Sequence, residues 1–257
     1  MTGVILEAQH LVKEFHGFKA VNNVNLKIQR GHIHALIGPN GAGKTTCFNL
    51  LTKFLVPTSG KILFSGQDIT SFSPEHIARR GVIRSFQISA VFPQMTVLEN
   101  VRVALQRALD TSFHFWRSER SLSVLDEQAM CLLDKVGLTD FAKSITMELP
   151  YGRKRALEIA TTLAMNPELM LLDEPTQGMG HEDVEQVTRL IKEVSVGRTV
   201  LMVEHNMKVV SGICDRITVL QRGSVLAEGS YSEVSENQAV IEAYMGTDES
   251  QDTAPCQ

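Results

Sequence analysis

The chain has 257 residues, which is enough for one large α/β domain with a smaller lobe and a sizeable core. Hydrophobic residues make up 43% of the chain and charged residues 21%, so a disordered or fibrous protein is excluded. The formal net charge is -4, and a nucleic-acid partner is disfavoured because binding to a phosphate backbone usually needs a basic excess.

Short β-rich runs and turn residues make up the first part of the chain. The runs at residues 4–6, 21–28 and 33–37 have the length and β-branched content of strands. The third run leads into a glycine-rich loop, and the apolar residues after Thr45 recur at helical spacing until Pro57. This part of the sequence therefore predicts a strand, a loop and a helix in that order.

Helices and buried strands fill the rest of the chain. A helix is predicted to open at Ser73-Pro74-Glu75 and to lead towards Gln87, and a helical lobe is predicted from about residue 94 to 165. Apolar strand runs then alternate with helices, which indicates parallel βαβ units and a nucleotide-binding α/β sheet. The runs lie at residues 61–64, 169–172, 199–203 and 217–220, and the helices at 181–195 and 206–213.

A phosphate-binding loop follows the third strand. Residues 38–45 read GPNGAGKT and match the pattern G-x-x-x-x-G-K-[ST], whose glycines let consecutive amides turn inward around the phosphates of a nucleotide. We expect Lys44 to reach the β- and γ-phosphates and Thr45 to ligate Mg2+. A glycine loop that only joins a strand to a helix is the alternative, and the complete motif disfavours it. The predicted nucleotide-binding residues are Gly38, Pro39, Asn40, Gly41, Ala42, Gly43, Lys44, Thr45 and Thr46.

Two carboxylates follow the apolar strand run at residues 169–172. Asp173 at the strand tip is predicted to hold Mg2+, and Glu174, one residue on, to polarise an attacking water. The alternative is a solvated acidic turn after a buried strand. The phosphate loop upstream favours a catalytic pair.

With these motifs in this order, the chain resembles the nucleotide-binding subunit of an ABC transporter over roughly residues 4–246. The resemblance implies an ATPase of the α/β P-loop NTPase fold, with a mixed-sheet core, an N-terminal antiparallel β subdomain and an inserted helical subdomain. It places the nucleotide-binding domain at residues 1–246, the helical subdomain at about 90–165, and a disordered polar tail at 247–257. The implied cofactors are ATP and Mg2+.

The resemblance also implies roles for three residues outside the phosphate loop and the carboxylate pair. Gln87, in Arg84-Ser85-Phe86-Gln87, matches the glutamine loop, which joins the Mg2+ and water region to the transmembrane partner. His205 matches the switch histidine, which contacts the γ-phosphate and helps to orient the catalytic glutamate. Phe15 matches the aromatic residue that stacks on adenine. The implied catalytic residues are Glu174, His205 and Gln87, and the implied metal ligands are Thr45, Gln87 and Asp173.

The signature segment of the family falls at residues 149–153 and differs from Leu-Ser-Gly-Gly-Gln at three of five positions. In the family this segment completes the nucleotide site of a second ATPase subunit, paired head to tail. The resemblance therefore makes Tyr151, Gly152 and Arg153 nucleotide-binding residues. Pro150 has neither a hydroxyl nor an amide hydrogen to offer. We therefore expect an asymmetric pair, in which this segment serves a slower site.

Several stretches are similar to amino-acid importer ATPases, above all to the branched-chain amino-acid importers of the LivG type. The resemblance implies two permease subunits, a second ABC ATPase chain in a heterodimer or alternatively a homodimer, a periplasmic or extracellular solute-binding protein, and no nucleic acid. It implies a peripheral protein at the cytoplasmic face of the plasma membrane. The stretches lie at residues 15–21, 92–101, 151–155, 204–210 and 241–246.

Three alternatives to amino-acid import stay open. The same motor motifs serve exporters and lipid-extracting systems, because they do not encode the direction of transport. ABC ATPases that work on ribosomes or DNA usually carry a second domain or long coiled coils, which this sequence lacks. A regulatory module that binds ATP without turnover is disfavoured by Glu174 and His205.

Overall fold

The computed structural model describes residues 3–85, 91–108 and 119–248 of the chain. These residues form ten strands and nine α-helices, with two short 3-10 turns at Thr139–Phe141 and Thr146–Glu148. The strands are β1 (Val4–Phe15), β2 (Phe18–Gln29), β3 (Ile33–Ile37), β4 (Ser59–Phe64), β5 (Gln67–Asp68), β6 (Val82–Ser85), β7 (Leu169–Asp173), β8 (Thr199–Val203), β9 (Arg216–Gln221) and β10 (Ser224–Gly229). The helices are α1 (Lys44–Leu51), α2 (Pro74–Arg79), α3 (Val97–Ala108), α4 (Glu119–Lys135), α5 (Tyr151–Ala164), α6 (His181–Val194), α7 (Met207–Ile213), α8 (Tyr231–Ser235) and α9 (Gln238–Asp248).

An antiparallel sheet with the strand order β2-β1-β4-β5 contains the N-terminal part of the chain. Val24, Leu26 and Ile28 of β2 are buried and alternate with exposed residues, because successive side chains of a strand point to opposite faces. The short strand predicted at residues 4–6 is the beginning of the twelve-residue strand β1. This sheet is the antiparallel subdomain that the resemblance implies.

The central sheet has the strand order β10-β9-β3-β8-β7-β6, and β10 is its one antiparallel member among the described strands. The other five strands are parallel, as the alternation of strands and helices predicted. Val203 at the end of β8 pairs with Leu36 of β3 and with Asp173 of β7. The carboxyl ends of these strands therefore meet at one edge of the sheet, where ligands of open α/β sheets bind.

Two hydrophobic cores lie on opposite faces of the central sheet. Leu36 and Leu171 face the core shared with the antiparallel sheet and α1, whereas Ala35 and Met170 face the core shared with α3 to α6. Each fully buried Leu contributes about 1.5–3 kcal/mol to stability. The two cores together fix the carboxyl edge of the sheet.

The helical lobe is formed by α3, α4 and α5, which pack on one another. Val97 and Val101 of α3 and Ala129 and Leu133 of α4 are fully buried at helical spacing. The helices predicted between residues 94 and 165 are therefore present in the described part of this range.

The helix predicted to run from Ser73 towards Gln87 is wrong beyond residue 79. Helix α2 ends at Arg79, and residues 82–85 form the edge strand β6, which pairs with β7. Gly81 ends the helix with a φ of 87°, and its carbonyl accepts hydrogen bonds from the amides of Glu168 and Leu169. The β-branched residues Val82 and Ile83 then bury their side chains better in the sheet than on a short exposed helix.

Helix α9 ends at Asp248, so the predicted tail boundary after residue 246 lies inside this helix, and residues 249–257 lie outside the described residues. None of the described helices has both the length and the apolarity of a bilayer span.

Candidate nucleotide site

The phosphate loop lies between β3 and α1 and packs against backbone that leaves no room for side chains. A Cβ atom at Gly38 would lie 2.1 Å from the carbonyl oxygen of Leu220, and one at Gly43 would lie 2.4 Å from that of Ala20. Both glycines also have positive φ values, 147° and 94°. The packing of the loop within this chain therefore requires glycine at positions 38 and 43, apart from any requirement of a bound phosphate.

The amides at the beginning of α1 point out of the helix end. The first amide of this helix to bond a backbone carbonyl is that of Cys47, which donates to Gly43 at 2.8 Å. The amides of Lys44, Thr45 and Thr46 thus have no backbone acceptor among the described residues. Together with the helix dipole they favour an anion at this position.

The Lys44 ammonium folds back across the loop that precedes it. Its Nζ donates to the carbonyl oxygens of Gly38 at 2.6 Å and Pro39 at 3.0 Å. Burial lowers the pKa of Lys44, and the nearby Glu174 carboxylate opposes this shift. The loop, the lysine and the predicted catalytic glutamate therefore lie within electrostatic reach of one another.

Asp173 and Glu174 stand at the carboxyl end of β7, as the sequence predicted. Glu174 has a left-handed backbone with a φ of 43°, which is uncommon for a residue with a side chain. Its amide donates to the carbonyl of Val203 at 2.9 Å. The turn that holds Glu174 is therefore tied directly to the end of β8.

Arg84 on β6 is a site residue that the sequence analysis missed. Its Nη2 donates to Oδ2 of Asp173 at 2.7 Å, and its Nη1 donates to Oδ1 of Asn49 at 2.7 Å. The guanidinium also lies over the rings of Phe48 and Phe54, at 5.0 and 5.1 Å from their centres. An arginine inside an otherwise apolar strand was the available signal.

The loop after β8 contains His205 next to a buried carboxylate. His205 is exposed at the carboxyl edge, whereas Glu204 is fully buried and accepts the His205 amide at 3.0 Å. Asn206 accepts the amide of Lys208 and caps α7. His205 is therefore held at its backbone, and its ring faces the surface.

Of two further predicted site residues, the structure describes Phe15 but not Gln87. Phe15 ends β1 with 40% of its surface exposed, and Nζ of Lys13 lies 5.1 Å from the centre of its ring. A ring in this position has an open face for stacking. Gln87 lies outside the described residues, although the strand that precedes it pairs with β7 up to Ser85 and Leu172.

The signature residues begin α5, and each has a partner within the chain. Pro150 is the N-cap residue, and Tyr151 donates from its hydroxyl to the carbonyl of Gln177 at 3.1 Å. A Cβ atom at Gly152 would lie 2.7 Å from Oδ1 of Asp183, and the Arg153 guanidinium stacks on Phe141 at 3.8 Å from the ring centre. The segment is thus packed against α6 and the loop after β7.

A buried ion pair on α5 also reaches the end of β7. Arg155 pairs with Glu158 and donates from Nη2 to the carbonyl oxygen of Asp173 at 3.2 Å. Burial raises the pKa of Glu158 to about 7, against the opposing charge of Arg155. Helix α5 is therefore linked to the strand that ends in Asp173.

The donors at the predicted metal site fit Mg2+. The Thr45 hydroxyl and the Asp173 carboxylate are hard oxygen donors, and Mg2+ is usually bound by one or two such protein groups together with phosphates and water. The described residues contain no cluster of three His, Cys, Asp or Glu residues. The two oxygen donors therefore match what a protein usually supplies to Mg2+ that is bound together with a nucleotide.

Two family profiles match the sequence. Residues 21–177 match the profile described as ABC transporter, and residues 224–250 match that described as branched-chain amino acid ATP-binding cassette transporter. The chain is 41% identical to the high-affinity branched-chain amino acid transport ATP-binding protein BraF of Pseudomonas aeruginosa, over 96% of this chain and 99% of that protein. It is 40% identical to the corresponding protein LivG of Escherichia coli, with the same coverage.

Solved structures of similar fold include an ATP-binding cassette of an ABC transporter in its ADP conformation. That cassette superposes with a TM-score of 0.82 and 29% identity, over 96% of this chain and 99% of its own. A dimeric ATP-binding cassette bound to ADP and Pi, in a post-hydrolysis state, superposes with a TM-score of 0.72 and 25% identity, over 88% and 99% of the two chains.

Proposed function

The chain belongs to the ABC transporter family of ATP-binding subunits, and we propose that it is the ATP-hydrolysing motor of an importer for branched-chain or related amino acids. One observation carries the ATPase part: the phosphate loop, Asp173, Glu174 and His205 all lie at the carboxyl ends of neighbouring parallel strands, at one edge of the sheet. The amino-acid part is supported by the match at residues 224–250 and by the BraF and LivG relatives.

The predicted site residues have complementary chemical roles in the proposal. The loop amides and Lys44 bind the phosphates, and Phe15 stacks on the adenine. Thr45 and Asp173 hold Mg2+, together with Gln87, and the bound ion would neutralise phosphate charge. Glu174 polarises the attacking water, and His205 contacts the γ-phosphate.

A second ATPase subunit completes the site in this proposal. The post-hydrolysis relative is a dimer bound to ADP and Pi, which supports pairing of two cassettes. Gly152 and the dipole of α5 would face the partner's nucleotide, with Tyr151 and Arg153 beside them, whereas Pro150 lacks the amide hydrogen and hydroxyl that a serine would offer. We therefore propose a heterodimer in which the site completed by this segment turns over more slowly.

The membrane path belongs to other chains in the proposal. Two permease subunits would dock on this chain at the cytoplasmic face of the membrane, and an external binding protein would deliver the amino acid. ATP-driven closure of the ATPase dimer would then move the permeases.

Purification in mild detergent tests the proposed assembly. We expect the chain to copurify with two permease subunits and a second ATPase, and the complex to hydrolyse ATP. Recovery of the chain alone or with ribosomes would contradict the importer proposal.

The catalytic assignment has a test of its own. Glu174→Gln should keep nucleotide affinity and lower kcat by about a hundredfold or more, because the amide cannot take a proton from water. The equivalent change in the second ATPase should have a smaller effect. Equal losses from the two variants would contradict the asymmetric pair.

A further inference from the structure

Glu204 is a fully buried carboxylate between the two loops that hold the predicted catalytic residues. Its exposed fraction is 0%. No Lys or Arg of the described residues forms a salt bridge with it. Burial of a carboxylate without a cation is costly unless hydrogen-bond donors replace the water that it loses.

Four donors from two loops surround this carboxylate. Oε1 accepts the amide of Thr176 at 3.1 Å and its hydroxyl at 2.6 Å. Oε2 accepts the amides of His205 at 3.0 Å and Asn206 at 3.1 Å. One oxygen thus faces the loop after β7, and the other faces the loop after β8.

This arrangement connects the backbone on both sides of the reaction centre. Thr176 lies two residues after Glu174, so the carboxylate holds the turn that presents the predicted water-polarising group. The same carboxylate fixes the His205 amide at the root of an exposed ring. A shift of about 1 Å in either loop would change the alignment of reacting groups enough to cost on the order of a hundredfold in rate.

We propose that Glu204 is a positioning residue for ATP hydrolysis, which holds His205 in register with Glu174 through the Thr176 loop. This inference rests on the proposed ATPase function of the site. Glu204 itself touches neither nucleotide nor water in this role. Its effect reaches the reaction through the backbones of two loops.

The change Glu204→Gln tests the inference with almost no change of size. An amide group has one acceptor oxygen and one donor nitrogen, so in either orientation it turns an N-H towards at least one backbone N-H. In the purified transporter complex we expect kcat to fall by about tenfold or more, while the KM for ATP stays within about twofold of wild type. The control Glu233→Gln makes the same change at a carboxylate that accepts the Ser230 amide in the capping box of α8, and should leave kcat unchanged.

A double-mutant cycle separates positioning from general loss of stability. If Glu204 acts in part through His205, Glu204→Gln should lower the residual rate of His205→Ala by a clearly smaller factor than it lowers the wild-type rate, because one of the two groups that it positions is already gone. A variant that merely loosens the fold would lower the rate by the same factor in both backgrounds. A second variant, Thr176→Val, removes only the hydroxyl donor and should lower kcat by a few-fold, and Thr176→Ser should restore it.

The outcomes distinguish this inference from the proposed function. If the wild-type complex hydrolyses no ATP, the proposed function fails and this inference fails with it. If the wild type is active and Glu204→Gln and Thr176→Val keep its kcat, the positioning role alone is overturned. Equal losses in the wild-type and His205→Ala backgrounds would also overturn it, since the effect would then not pass through His205.

Discussion

The guanidinium of Arg84 donates from Nη2 to Oδ2 of Asp173 at 2.7 Å, so the carboxylate proposed to ligate Mg2+ already has a cationic partner. Both side chains are mostly buried, which makes the pair stronger than an exposed one. Arg84 is also held by Asn49 and by two phenylalanine rings, so it cannot move away freely. A metal ion at Asp173 therefore has to compete with Arg84 for the carboxylate, or to share the carboxylate with it.

Replacement of Arg84 should make the protein more dependent on Mg2+. Arg84→Ala leaves Asp173 without its cation and should lower the free energy of unfolding by about 2 kcal/mol. Because Mg2+ can supply the missing charge, addition of Mg2+ with ADP should raise the Tm more in Arg84→Ala than in the wild type, and ADP with a chelator should not. Differential scanning fluorimetry measures both shifts. Equal Mg2+-dependent shifts in the variant, the wild type and the exposed control Arg79→Ala would contradict the competition.

Asp183 should limit the size of the side chain that position 152 accepts. Alanine at a helical glycine normally stabilises by about 0.5–1 kcal/mol, but at Gly152 the added Cβ would lie 2.7 Å from Oδ1 of Asp183. We therefore expect Gly152→Ala to raise the free energy of unfolding less in the wild type, where the Asp183 carboxylate has to shift, than in an Asp183→Ser background. Urea unfolding measures the difference between the two backgrounds. Gly212→Ala, at an unobstructed glycine of α7, should stabilise in both backgrounds.

Tyr244 on α9 should couple the last helix to the phosphate loop. Burial raises the pKa of its hydroxyl to about 12, against an opposing electrostatic effect of the Gly38 backbone. Tyr244→Phe removes the polar group beside the first glycine of the loop and should weaken ADP binding by about threefold. Isothermal titration calorimetry measures the affinity. The same change at the more exposed Tyr231 of α8 serves as the control, and an unchanged affinity in Tyr244→Phe would rule out the coupling.

His34 should make stability fall in mild acid. Burial, together with the charges of Arg216 and His32, lowers the pKa of this β3 imidazole to about 3. Below pH 6.5 the unfolded chain binds a proton at His34, whereas the folded chain does not until the pH is near 3. The contribution of neutral His34 to stability is therefore complete above pH 6.5 and is lost as the pH falls below it. Between about pH 7 and pH 5 the free energy of unfolding should decrease by about 2 kcal/mol on this account.

Urea unfolding at the two pH values tests the role of His34. The Nε2 atom of His34 lies 2.8 Å from Oγ1 of Thr218, and His34→Gln keeps a polar group there that cannot be protonated. We expect the variant to show a flatter pH dependence, whereas the exposed His181→Gln should behave like the wild type. If the free energy of unfolding changes with pH by the same amount in the wild type, His34→Gln and His181→Gln, groups other than His34 cause the acid sensitivity.

The sequence alone determined the parts of the site that are contiguous in the chain. The phosphate loop at residues 38–45 and the pair Asp173-Glu174 carry their geometry locally, because glycines permit the turn and an apolar strand delivers the carboxylates to its tip. The alternation of strands and helices was enough to predict a parallel sheet. The prediction from this pattern was wrong at β6. A strand of four residues after a glycine is too short for its hydrophobic pattern to be distinguished from that of a helix end.

Only the tertiary structure decided which side chains meet across the sheet. Arg84 and Asp173 are 89 residues apart, and Thr176 and Glu204 are 28 residues apart, and both pairs form because β6, β7 and β8 lie side by side. Strand order follows from the packing of the two cores and is not written in any local pattern. A buried charge such as that of Glu204 needs hydrogen-bond partners. Which loop supplies them depends on which strand lies beside its own.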